Sequence, residues 1–130
     1  MKAKQILTVL FALSLLAPFA GVASAHHSVA GFDNKKEVNL KGTVVQFVWR
    51  NPHVLVVWDV KDENGKVTQW SGEMNSPTSM IQVGMNRNSL KPGDEVIVTL
   101  NPSKTGTPIA VIRKVTMADG KLVVDRIVPQ

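Results

Sequence analysis

Apolar and polar residues alternate along most of the chain after residue 36, with the period of two that is typical of half-buried β-strands. Residues such as Gly, Pro, Asn and Asp interrupt this pattern and divide it into short segments. The predicted strands are, in chain order, residues 38–49, 54–60, 66–72, 95–100, 109–117 and 122–128. The hydrophobic pattern therefore predicts an all-β protein.

Local signals indicate how these strands are connected. Asn64 and Gly65 lie between the second and third strands, and an Asn-Gly pair favours a tight hairpin because both residues tolerate positive φ. Ser76 followed by Pro77 is a good N-cap and first-turn pair. Residues 77–83 are therefore predicted to form a short helix between strands three and four.

Gly42 lies in the middle of the long first strand. A glycine inside a long strand usually marks a bulge or a strong bend, which allows one strand to take part in both halves of a small barrel. With the three-strand meander, the helix and the final hairpin, this predicts an OB-like Greek-key barrel of five to six strands. An immunoglobulin-like sandwich is the alternative, but it needs about seven strands and has no place for the helix.

The N-terminal segment has a different pattern. Lysines precede an apolar run at residues 6–16, and the small residues Ala23, Ser24 and Ala25 follow. This is the layout of a cleavable signal peptide, so we expect residues 1–25 to be removed and the protein to be periplasmic or secreted. A membrane anchor is the alternative, but a proline and a glycine interrupt the run and no basic stop-transfer cluster follows.

The predicted mature chain consists of an N-terminal arm, residues 26–36, and one barrel domain, residues 37–130. The formal net charge is +5, and without Lys2 and Lys4 it is +3. Because the remaining charges are interspersed, nucleic acid is not an expected partner. The chain contains no cysteine, which excludes disulfide bonds and thiolate metal sites.

Several short motifs of the mature chain occur together. They are His26-His27-Ser28, Phe32-Asp33, Lys41-Gly42-Thr43-Val44, Trp49-Arg50-Asn51-Pro52-His53 and Leu90-Lys91-Pro92-Gly93-Asp94. In this combination the chain resembles an uncharacterised group of small exported bacterial proteins, a domain-of-unknown-function family. The resemblance covers nearly all of the mature chain and implies export and the domain boundaries. It implies no activity, although members of that group usually carry the paired histidines directly after the signal.

His26 becomes the first residue if cleavage follows Ala25. Its α-amine and imidazole Nδ1 can then chelate one metal ion, since both groups lose their protons near neutral pH. Nitrogen ligands of this kind favour Cu(II). His27 and His53 can add further nitrogens, so these three histidines are the candidate copper ligands. Zinc or another divalent ion is one alternative, and a solvated tail with no metal is another.

Trp49, Trp58 and Trp70 lie one in each of the first three strands, on the sheet that OB barrels often use as a binding face. They are a candidate interaction face for a periplasmic or membrane protein partner. For at least two of the three, packing in the core or across an end of the barrel is the favoured role. The expected function is accordingly a binding or accessory protein, with copper binding first and partner docking as the alternative.

Met74, Met80 and Met85 lie in or beside the helical segment and are predicted to fill the core rather than to bind Cu(I). Asp59 and Glu73 are carboxylates on neighbouring predicted strands. No Ser-His-Asp or Cys-His set is recognisable, so the sequence gives little support to catalysis.

Overall fold

The structure, a computed structural model, describes residues 29–125. Within them the chain forms a single 3-10 turn, six strands and one short α-helix. The elements are the 3-10 turn Val29–Gly31, β1 Val38–Val48, β2 Leu55–Lys61, β3 Val67–Glu73, α1 Pro77–Gln82, β4 Glu95–Pro102, β5 Ile109–Met117 and β6 Leu122–Val124. The predicted signal peptide lies outside the described residues. No helix of the described part is long and apolar enough to cross a membrane.

The strands form one sheet in the order β3-β2-β1-β4-β5-β6. Neighbouring strands in this order are antiparallel, and a parallel pairing of β3 with β5 closes five strands into a barrel. β6 is an extra strand on the edge of β5. This strand order, with α1 between β3 and β4, confirms the predicted OB-like Greek-key barrel.

β1 belongs to both halves of the barrel, as the sequence predicts. Thr43 is opposite Asp59 of β2 and also opposite Glu95 of β4, so the strand changes partner there. The β-bulge lies at Val45, three residues after the position expected from Gly42. Gly42 has a different role, because a Cβ atom there would collide with the carbonyl oxygen of Asp59. The glycine allows β2 to approach β1 closely.

The barrel interior contains one hydrophobic core, drawn from β1, β2, β4, β5, β6, α1 and the connecting segments, and Trp70 of β3 packs against it. Its buried members are Val44, Val54, Val56, Trp58, Met74, Met80, Met85, Leu90, Val96, Val98, Leu100, Ala110, Ile112, Val115 and Val124. The three methionines predicted to fill the core do so. α1 is too short to be stable alone, and it depends on the burial of Met80 and on its N-cap, where Ser76 Oγ accepts from Ser79 N at 3.3 Å.

The described part of the arm is more ordered than the sequence predicts. Instead of an irregular segment, it contains the 3-10 turn and an isolated antiparallel bridge between Phe32 and Ser103. The last strand is shorter than predicted: it ends at Val124, and residues 126–130 lie outside the described part. The arm therefore packs on the barrel near the end of β4.

Candidate functional site

His53 lies in the connection between β1 and β2, directly after the cis peptide bond between Asn51 and Pro52. Its neighbour Val54 extends the pairing of β2 with β3, because Val54 N donates to the Asn75 carbonyl at 3.1 Å. Both sides of the connection are thus tied to the sheet. The backbone of His53 is held in one place on the surface of the barrel.

The imidazole ring of His53 is oriented by one hydrogen bond. Its Nδ1 atom lies 2.9 Å from the carbonyl oxygen of Met74. A carbonyl oxygen can only accept, so Nδ1 carries the hydrogen and, in the neutral ring, Nε2 carries the lone pair. The side chain is 31% exposed. An Nδ1–H bond to a backbone carbonyl is also the arrangement that orients histidine ligands of metals.

Glu73 lies beside this ring. Its Oε2 atom is 3.9 Å from His53 Nδ1, and its side chain is partly buried. A carboxylate at this distance makes the electrostatic potential around the ring more negative. The other carboxylate considered from the sequence, Asp59, is not close: it is opposite Gln69 and accepts a hydrogen bond from it at 3.0 Å. Four residues of extended strand separate Gln69 from Glu73, about 13 Å.

The closure of the barrel places residues of β5 and β4 in line with Glu73. Glu73 is the parallel partner of Val111 on β5, and Val111 is opposite Asn101 on β4. Partner residues of adjacent strands share one face of a sheet. The interior positions next to them are Leu100 and Ile112, both fully buried. Glu73, Val111 and Asn101 therefore form one row on the outer face.

The arm covers the far end of this row. Phe32 bridges to Ser103, and the Lys104 Nζ atom donates to the Ala30 carbonyl at 2.8 Å. Val29, the first described residue, lines a cavity of about 340 Å³ that Val111 also lines. The described chain thus begins beside the outer row that leads to Glu73 and His53.

Within residues 29–125, no group of three or more His, Cys, Asp or Glu side chains is arranged to hold a metal ion. His53 is the one sequence-predicted ligand that the structure describes. His26 and His27 lie outside the described residues. A site of three or more such side chains at His53 would need ligands from outside residues 29–125.

The tryptophans occupy different environments. Trp58 is fully buried and stacks on Trp70, with ring centroids 6.2 Å apart. Trp49 packs edge-on against Phe47, and both Trp49 and Trp70 are partly buried against the core. Trp58 is thus a core residue that no partner can touch, which corrects its place in the predicted interaction face. Its Nε1–H group is a buried donor with no hydrogen-bond partner in the described part.

The chain was compared with known proteins in two ways. A search of curated proteins finds no match for the chain. A family model matches residues 14–118, a range that contains β1 to β5, the helix and all three candidate histidines. This confirms the resemblance to an uncharacterised family that the short motifs indicate. The chain belongs to DUF6152, a family of unknown function.

Proposed function

We propose that this protein is an exported, non-enzymatic copper-binding protein whose ligands are His26 with its α-amine, His27 and His53. The proposal joins two parts of the molecule. One is a histidine held on the barrel surface, and the other is an N-terminus created by removal of residues 1–25. Export and cleavage are part of the proposal, because the chelating amine exists only after cleavage.

The orientation of His53 supports its role as a ligand. The bond from Nδ1 to the Met74 carbonyl leaves Nε2 as the ligand atom in the neutral ring. The nearby Glu73 carboxylate offsets part of the positive charge that a bound metal ion brings. A histidine on a freely moving loop would lose more side-chain entropy on binding than this one.

The observation that carries the proposal is the position of the arm. Val29 and Val111 line the same cavity, Val111 is one strand away from Glu73, and Glu73 is beside His53. Two strand spacings amount to about 10 Å. Two residues, His27 and Ser28, lie between His26 and Val29, and the three Cα–Cα steps of an extended chain span about 11 Å. This length matches the two strand spacings from Val111 to His53, which supports placing the N-terminal amine and imidazole at His53.

The available ligand atoms favour copper over other metals. The chain has no cysteine, so thiolate ligands are excluded, and Met74, Met80 and Met85 are buried in the core and inaccessible to a metal ion. An amine and imidazoles remain, and such nitrogen ligands bind Cu(II) more tightly than Zn(II). A tetragonal Cu(II) site also suits a chelate formed by one terminal residue.

The proposal is tested with two proteins that differ only at the N-terminal amine. One begins at His26 with a free amine, as verified by intact mass, and in the other the amine of His26 is acetylated. We expect submicromolar Cu(II) binding by the first protein and at least a hundredfold weaker binding by the second. Equal affinity would exclude the α-amine of His26 as a ligand. Binding of Zn(II) by both proteins, measured in parallel, tests the selectivity.

Partner docking through the tryptophans has less support as a second function. Trp58 is inaccessible, and Trp49 and Trp70 are each packed against other aromatic rings. The exposed large apolar residues of the described part are instead valines, isoleucines and a leucine. These observations favour the histidine site as the functional centre.

A further inference from the structure

A second candidate site is the cavity between the arm and the barrel. It has a volume of about 340 Å³ and is lined by Val29, Phe32, Asn34, Asn101, Val111 and Arg113. This volume is within the range of small-molecule sites. Its apolar residues come from both the arm and β5, and its polar residues are two amides and one guanidinium. The cavity thus combines an apolar wall with a single positive charge.

Arg113 points toward the cavity because of a β-bulge. On β4 and β5, Leu100 is opposite Ile112 and Thr99 is opposite Lys114, so Arg113 is the extra residue between these pairs. A bulge of this kind turns an additional side chain to one face of the sheet. Within residues 29–125, no carboxylate lies within ion-pair distance of Arg113. Its guanidinium is therefore available to a ligand.

The other polar wall of the cavity is held rigidly. Asn101 is 3% exposed, and its Nδ2 atom donates to the Lys36 carbonyl at 2.8 Å. This bond fixes the orientation of the side-chain amide relative to Arg113. Lys104, in the connection between β4 and β5, adds a second positive charge outside the cavity, where its Nζ donates to the Ala30 carbonyl.

We infer that this cavity binds a small carboxylate that carries an apolar group, with its carboxylate on Arg113 and its apolar part against Phe32 and Val111. A guanidinium offers two parallel N–H donors to a carboxylate, which no neutral ligand of the same shape can use. The apolar wall excludes inorganic anions as preferred ligands, since they would leave it exposed to water. The site needs no metal, so it does not depend on the proposed copper function.

The probe is 3-phenylpropanoate, and the neutral control is 3-phenylpropanamide. Each is titrated into the metal-free chain beginning at His26, and binding is followed by NMR at the Asn101 side-chain amide and the Val111 backbone amide. We expect saturable shifts with the acid and at least tenfold weaker binding of the amide. Equal binding of the two probes, or no saturable shift with the acid at millimolar concentration, would overturn the inference.

Three variants distinguish the contribution of the Arg113 charge from that of the cavity volume. Arg113→Gln should weaken binding of the acid at least tenfold, whereas Lys114→Gln, the same charge change one residue away, should alter it less than twofold. Val29→Trp should fill the cavity and abolish binding while Arg113 is retained, and exposure of Val29 makes this change tolerable to the fold. Unchanged binding of 3-phenylpropanoate by either folded variant, Arg113→Gln or Val29→Trp, would contradict the inference.

Discussion

Glu73 and Val111 are parallel partners across the seam that closes the barrel. This single pairing joins two regions that are far apart in the sequence. On one side of it, His53 lies beside Glu73, and on the other side, the arm packs beside Val111. The OB-like closure therefore brings the surface around His53 and the surface under the described part of the arm onto neighbouring strands.

The first prediction concerns His53 itself. His53→Gln can keep a hydrogen bond to the Met74 carbonyl through its amide but removes the imidazole lone pair. We expect at least tenfold weaker Cu(II) binding, measured by competition with a chromophoric chelator. Because the side chain is partly exposed, the free energy of unfolding should change by less than about 1 kcal/mol. Unaltered Cu(II) affinity would remove His53 from the ligand set.

Glu73 should act through charge rather than as a ligand. Glu73→Gln removes the carboxylate 3.9 Å from the His53 ring, and we expect Cu(II) affinity to fall two- to fivefold at low salt. The difference should shrink in 1 M salt, because screening weakens the interaction of partly exposed charges.

Asp59→Asn is the matched control for Glu73. It makes the same charge change on β2, where Asp59 is bound to Gln69 and is remote from His53. Its Cu(II) affinity should equal that of the unmodified protein at every salt concentration. If the loss of Cu(II) affinity in Glu73→Gln persists in 1 M salt, Glu73 coordinates the metal directly. This result would contradict a role through charge alone.

The close approach of β1 and β2 predicts a stability effect at Gly42. In Gly42→Ala the new Cβ would collide with the Asp59 carbonyl, so the two strands must separate. We expect the free energy of unfolding to fall by about 1–3 kcal/mol, measured by urea denaturation. Gly31→Ala is the control, because a Cβ at Gly31 meets no atom within 4 Å. Equal stability of the two variants would contradict the packing described for β1.

The burial of Met80 and the exposure of Ile81 in α1 predict different stability effects for substitutions at these two neighbouring positions. Met80 is 1% exposed and Ile81, the next residue, is 61% exposed. Met80→Ala should lower the free energy of unfolding by about 2–5 kcal/mol through lost burial and an internal cavity. Ile81→Ala should change it by no more than about 0.5 kcal/mol. Thermal unfolding followed by circular dichroism compares them, and similar losses would show that α1 is not anchored through Met80.

The hydrophobic pattern predicts the barrel well, because strands and their turns are encoded locally. The bounds of β5 agree with the prediction at both ends, and those of the other strands differ by a few residues. The Asn-Gly pair predicts the hairpin between β2 and β3, but not its register. Asp62 N donates to the Lys66 carbonyl, which leaves the three residues 63–65 as the loop between them. Only the structure shows that Leu55 is opposite Glu73.

The site is less predictable than the fold, because its contacts are distant in sequence. His53 is recognisable as a candidate ligand, but its orienting partner, the Met74 carbonyl, is 21 residues away. Arg113 gives no signal in the sequence at all, since a bulge adds one residue to a strand without altering its apolar character. The sequence places the tryptophans on the first three strands but does not show which of them faces inward, and the structure shows that Trp58 is the fully buried one.

The most direct measurement is the EPR spectrum of the Cu(II) protein with its native N-terminus at His26, recorded with ¹⁵N-labelled histidine. We predict nitrogen couplings from the α-amine and from imidazoles, with one imidazole coupling lost in His53→Gln. A spectrum that is identical in the two proteins would contradict a site formed jointly by the processed N-terminus and the barrel.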